Sequence, residues 1–246
     1  MKLTQSAGDT EEFRYGAAER YLLAVAVTVL WLLLVVIAGF AASLAHEGQI
    51  GMALFLLVLT GFLMTLCRMV TRDYMMKNTW RISLGPVNAW FNLPLRRLLY
   101  GPAPRMSGPL PYSAIRAIEW REEAFRTMGM ATINRVYAIR LKSGGLILLG
   151  EDRPIPKTFD YTTLAGNAAR ALAQKAQVPL RQMQMAEGDG GFLTLWGTQR
   201  PDWPDGAEAA LLTDEDERLI RRNHRLTQLV PVIAFGVMVL VYLIPG

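Results

Sequence analysis

The chain has 246 residues, a formal net charge of +5, 52% apolar residues and 19% charged ones. Soluble globular chains carry about 25% charged residues, so this balance leans toward lipid. The apolar content excludes a disordered chain, and a single cysteine, Cys67, excludes a disulfide scaffold.

Residues 1–20 form a polar N-terminal segment containing Asp9, Glu11, Glu12 and Glu19 beside Lys2, Arg14 and Arg20. Residues 21–45 carry no charge and make about 37 Å of helix, enough to cross a hydrocarbon core of about 30 Å with some tilt. The run is too long for the apolar region of a cleaved leader and its flank is too acidic, so it reads as a retained helix. His46, Glu47, Gly48 and Gln49 form a tight turn into a second uncharged run, 50–67, at the short limit for spanning. A third uncharged run, 226–246, closes the chain. The turn between the first two runs has no Lys or Arg. Arg68, Arg72 and Lys77 follow the second run, and Arg222 and Arg225 precede the third; these five are expected at the membrane interface. Positive residues stay on the cytoplasmic side, so the N-terminus and the central region are expected there and the C-terminus outside.

The middle of the chain, 68–178, reads as short strands closed by one helix. Trp80–Leu84 is β-prone and ends at the turn signal Gly85-Pro86; Val87–Leu93 is a second short run stopped by Pro94. The prolines from 94 to 111 predict an irregular loop. In the strand that follows, Ile118 and Trp120 share one face and Glu119, Arg121 and Glu123 the other, which predicts a half-buried strand with a solvated ion-pair stripe. Thr132–Leu141 and Leu146–Leu149 form a hairpin around Lys142-Ser143-Gly144-Gly145. A helix is expected from about Asp160 to Gln177, ended by Pro179. Residues 179–225 read as a linker, with a flexible joint at Gly188-Asp189-Gly190-Gly191 and a loop around Trp196 and Trp203, leading into a juxtamembrane helix. Its acidic start and arginine-rich end suit the helix dipole.

The fold class is thus an α+β membrane protein, with three transmembrane helices and a small antiparallel-sheet domain closed by a helix. The helical hairpin, the strands just past the second helix and the segment Pro111-Tyr112-Ser113-Ala114-Ile115-Arg116-Ala117-Ile118-Glu119 resemble bacterial membrane proteins with a pleckstrin-homology-like cytoplasmic domain. The resemblance spans roughly residues 20–178. It implies a multi-pass protein of the bacterial inner membrane.

Little in the sequence points to catalysis. His46 and His224 fall on opposite sides of the expected membrane, so no metal set can be assembled with one cysteine. No serine elbow or phosphate-binding glycine loop is present. No cofactor is expected. Within the apolar runs no Asp, Glu, Lys or Arg offers an ion path. The basic residues cluster near the membrane without interleaved stacking aromatics, which argues against nucleic acid. Expected contacts with anionic lipid headgroups or a partner are Arg96, Arg97, Arg105, Trp196 and Trp203. The chain reads as a non-enzymatic accessory, assembly or scaffold subunit of a membrane complex. The alternatives are a sensor of anionic lipid, or an enzyme on a membrane substrate using Glu119, Glu123 or Asp152.

Overall fold

The computed structural model describes residues 10–127, 130–154, 160–191 and 198–204. The third apolar run, the juxtamembrane helix, Trp196, Arg222 and Arg225 lie outside the described residues. The chain divides into a helical unit and a sheet unit.

In the helical unit, α1 (Ala17–His46) and α2 (Ile50–Thr79) are each 30 residues long. Both are long and apolar enough to cross a membrane. A helix is the fitting form there, because in hydrocarbon every backbone donor and acceptor must find its partner within the segment. Gly48 makes the turn between them with φ +79°, a conformation that disfavours a side chain. Leu34, Leu63 and the buried Cys67 pack between the two helices, with Leu30 and Ile37 against them. At the far end Lys77 bonds Glu19 at 2.7 Å and Asp73 at 3.2 Å, and the Trp31 indole donates to Thr71.

Helix α2 therefore continues well past the apolar run, which stops at Cys67. From there to Thr79 it adds about 18 Å of polar helix. Arg68 and Arg72 lie along this extension. Lys77, expected at the headgroups, stands about 15 Å beyond Cys67 along the axis and holds α1 to α2. Nothing from Arg68 to Asn78 breaks a helix, and so those residues belong to the hairpin rather than to the sheet region expected from residue 68.

The sheet unit begins earlier in the chain than expected. Strand β1 (Glu11–Arg14) pairs with β2 (Arg81–Leu84), which pairs with β3 (Asn88–Leu93), which pairs with β4 (Met106–Pro111), all antiparallel. β1 is too short to show a period, but Phe13 enters the core and Arg81 grips Glu12 at 2.9 Å. Ile82, Leu84, Ala89, Phe91, Leu93 and Leu110 share that core. The last third of the expected proline loop is thus a strand. β4 tolerates Pro109 and Pro111 because it lies at the sheet edge, where a missing donor breaks no ladder on its outer side.

The second sheet has the order β7-β6-β5-β8, with β5 (Ile115–Thr127) and β6 (Met130–Leu141) at its centre and β7 (Leu146–Asp152) at one edge. A 3₁₀ turn, Tyr112–Ala114, leads into β5. The Lys142–Gly145 turn forms as expected, with Gly144 at φ +91°. Helix α3 (Leu164–Ala176) starts a turn later than expected and ends at Gln177, in the left-handed conformation. It packs across β5, β6 and β7 through Ala165, Ala168, Ala169 and Leu172.

After α3 the chain returns to the sheet. β8 (Leu180–Gln182) and β9 (Ala186–Asp189) pair parallel with β5, at Ile118–Trp120 and Glu123–Arg126. The expected flexible joint at Gly188 is therefore part of the sheet. Its glycine is needed for close approach: a Cβ there would lie 2.6 Å from Phe125 Cε1 and 2.7 Å from the Gln199 carbonyl.

Candidate functional site, a buried charged face

The central strand β5 alternates as expected and buries Ile118, but its charged face is covered as well. Glu119 is 5% exposed, Arg121 1% and Glu123 0%, while Trp120 on the other face is only partly covered. The expected solvated stripe is a buried one. The reason is tertiary: the loop 95–103 and the segment 199–204 close over this face, placing Leu98, Ala103 and Trp203 against Val136, Ala138, Leu146 and Leu148. Tyr100 stacks on Phe125, with ring centroids 3.8 Å apart.

Two ion pairs lie under this cover. Arg121 donates to Glu123 Oε1 from Nε at 2.9 Å and from Nη2 at 2.7 Å. The second Glu123 oxygen faces Arg200, 3.4 Å from its Nε. Arg140 forks onto Glu119, Nε to Oε1 at 3.1 Å and Nη2 to Oε2 at 2.9 Å. The planar guanidinium suits such two-point contact, which is stronger and more directional than a single point charge provides. Burial lowers the Arg121 pKa and the Glu123 carboxylate pushes it back up.

The same arginines reach out of the sheet to the backbone of the covering segment. Arg121 donates to the carbonyls of Asp202 and Pro201, both at 2.7 Å, and Arg140 to that of Pro204 at 2.8 Å. Between them the Trp203 indole donates to Glu119 Oε2 at 2.8 Å and lies under the Arg121 guanidinium, 4.1 Å from the ring centroid. One two-way backbone bridge, Asp189 with Gln199, completes the seat.

Comparison with family models, with curated proteins and with solved structures finds no match.

A second cluster lies at the end of β7. Asp152 accepts the backbone N–H groups of Ala165 at 3.1 Å and Gly166 at 3.0 Å, so a carboxylate from the sheet caps α3 from outside the helix. Thr162 and Tyr137 donate to the same group. Burial raises the Asp152 pKa, and these hydrogen bonds oppose the rise. The Tyr137 hydroxyl is also raised, first by burial and then by Asp152. Glu151 accepts from the Leu99 N–H at 2.8 Å, from Arg153 at 2.7 Å and from Asn134 at 3.2 Å. These two carboxylates therefore hold a helix and a loop in place.

The remaining sequence-derived residues separate in the fold. Arg97, expected to face headgroups, is 2% exposed. Its guanidinium donates to the carbonyls of Leu148, Pro94, Ala103 and Pro104, so it organises the proline-rich loop and cannot meet lipid. Arg105 is exposed and Arg96 half-buried. Trp203, expected on an exposed loop, is 6% exposed and serves the seat just described. Among the described residues no group of His, Cys, Asp and Glu is placed to hold a metal ion. Arg140 and Asn134 were missed as site residues. It is the β5–β6 pairing, which the sequence did not announce, that sets Arg140 opposite Ala117 and beside Glu119.

Proposed function

We propose that this chain is a non-enzymatic membrane protein whose sheet unit is a binding module, presented to a partner membrane complex by apolar anchors at both ends. The observation that carries this reading is the state of its best candidate catalytic groups. Glu119, Glu123 and Asp152 are each buried and engaged by donors of the fold itself, whereas paired-carboxylate chemistry needs two acids facing one cleft. The domain is read as pleckstrin-homology-like, supported by the order of a four-stranded antiparallel sheet, a three-stranded antiparallel run and a closing helix. Residues 226–246 are read as a third span, with the N-terminus and sheet unit cytoplasmic and the C-terminus outside, in the bacterial inner membrane.

The deciding experiment is purification of the tagged full-length protein in nanodiscs, with its mass measured directly and its companions identified. A defined larger assembly supports an accessory or scaffold subunit. A lone monomer or homodimer carrying anionic lipid refutes it in favour of lipid sensing, a reading favoured by the exposure of Arg105 at the start of the edge strand β4. Lipid sensing would show as salt-sensitive protection of residues 95–105 from hydrogen exchange in anionic but not zwitterionic nanodiscs, lost on neutralising Arg96 and Arg105.

A further inference from the structure

The segment 200–204, Arg-Pro-Asp-Trp-Pro, lies on the β5–β6 face in the manner of a bound peptide. It is held through main-chain carbonyls, one anchoring ring and the Arg200 side chain facing Glu123, while Asp202 and Pro204 are exposed. Peptide-recognition surfaces divide their contacts in this way, with backbone bonds for grip and a pocket for a single large side chain. We propose that the charged face formed by Glu119, Arg121 and Arg140 is a binding site for an extended segment anchored by a tryptophan followed by proline, and that residues 200–204 occupy it reversibly in cis.

The composition of the face supports reversibility. A permanently covered surface gains nothing from charge, because replacing a buried ion pair by hydrophobic residues of the same volume is often neutral or stabilising. A surface that must also stand open benefits from charge, since Arg121, Glu123, Arg140 and Glu119 are well hydrated once uncovered. The holding energy then rests on a small set of contacts centred on Trp203, which is how binding energy is concentrated at interfaces generally. The backbone connection beside it is one isolated bridge, Asp189 with Gln199, rather than a strand. Seating the segment also fixes the chain to the sheet as far as Pro204; released, the sheet holds it only to Asp189. The inference goes beyond the proposed function and holds whether or not the protein has a companion complex.

The test uses full-length protein in nanodiscs and a fluorescent peptide of residues 198–206 as the probe. In the wild type the cis segment competes at a high effective concentration. The peptide is therefore expected to bind Trp203→Ala about a hundredfold or more tightly than wild type. A peptide with its tryptophan changed to alanine is expected to bind neither. Equal affinity for wild type and variant overturns the proposal, as does no binding to a Trp203→Ala protein whose β2–β4 amides keep their wild-type protection. Should Trp203→Ala fail to keep that protection, Trp203→Phe, which retains a ring but cannot donate to Glu119, is titrated against the same criteria.

Discussion

Trp203 lies under the guanidinium of Arg121 at 4.1 Å and donates its indole N–H to Glu119 at 2.8 Å, so one side chain joins two ion pairs, one within β5 and one between β5 and β6. Because Arg121 is matched to Glu123 and Glu119 to Arg140, the ring arrives over a face whose charges are already balanced. The Trp203 ring thus adds a cation–π contact and one hydrogen bond, beside the three carbonyls and the Arg200 side chain that the same segment brings to this face.

That balance makes single and paired substitutions behave differently. Arg121→Met leaves Glu123 buried without its main partner and is expected to lose about 3–5 kcal/mol of stability. Arg121→Met combined with Glu123→Leu removes both charges and is expected to recover most of the loss. Denaturant unfolding of the sheet unit within the full-length protein measures the cycle. A double variant as unstable as the single one would show that the pair itself, and not its balance, holds the face.

Arg97 spans four carbonyls of the loop 94–104 and β7, a geometry that a lysine ammonium cannot reproduce. Arg97→Lys is expected to cost at least about 2 kcal/mol, despite keeping the charge. The same unfolding assay reads it. Wild-type stability in Arg97→Lys would return this residue to the set of surface charges.

At Gly188 an added methyl group would sit 2.6 Å from Phe125 Cε1, 2.7 Å from the Gln199 carbonyl and 2.8 Å from Pro201 Cδ. Gly188→Ala is expected to destabilise by about 1–3 kcal/mol, the usual range for overpacking. Hydrogen exchange should localise the change to the Asp189–Gln199 bridge, leaving β2 and β3 protected as before.

Asp152 gives the fold a defined pH response. Its carboxyl is raised above the ordinary 3.8 by burial, against the hydrogen bonds from Gly166, Ala165, Tyr137 and Thr162. The folded state therefore binds this proton more tightly than the unfolded state, and stability falls as pH rises from the ordinary value through the raised one. The melting-temperature advantage of wild type over Asp152→Asn is expected to be greatest below that window and to shrink to a constant above it. An advantage that grows with pH across the same range would reverse the assigned sign.

Much of the architecture was legible in the chain. Residues 21–45 and 50–67 contain no charge, and only a helix can carry such a run through hydrocarbon with its backbone satisfied, so the hairpin follows from composition. The β6–β7 hairpin follows from Lys142-Ser143-Gly144-Gly145, and the end of α3 from the proximity of Pro179. Strand β5 was legible as a strand, including which residues share a face.

What the sequence could not indicate was that the charged face of β5 is inside as well. Alternation determines that Glu119, Arg121 and Glu123 point together; it carries no information on whether water or protein lies above them. Isolated charges belong in water, so the sequence reading placed them there. The tertiary structure decided otherwise because partners distant in sequence, Arg140 and the segment ending in Trp203, arrive to balance and cover them. Arg97 was misplaced for the same reason, since its four acceptors converge only when the loop folds back onto β7. By itself the sequence determined where the apolar spans, the turns and the strand periods lie, because these depend on neighbours along the chain. Only the fold decided the fate of the charges, because the free energy of a buried charge depends on partners brought together across space.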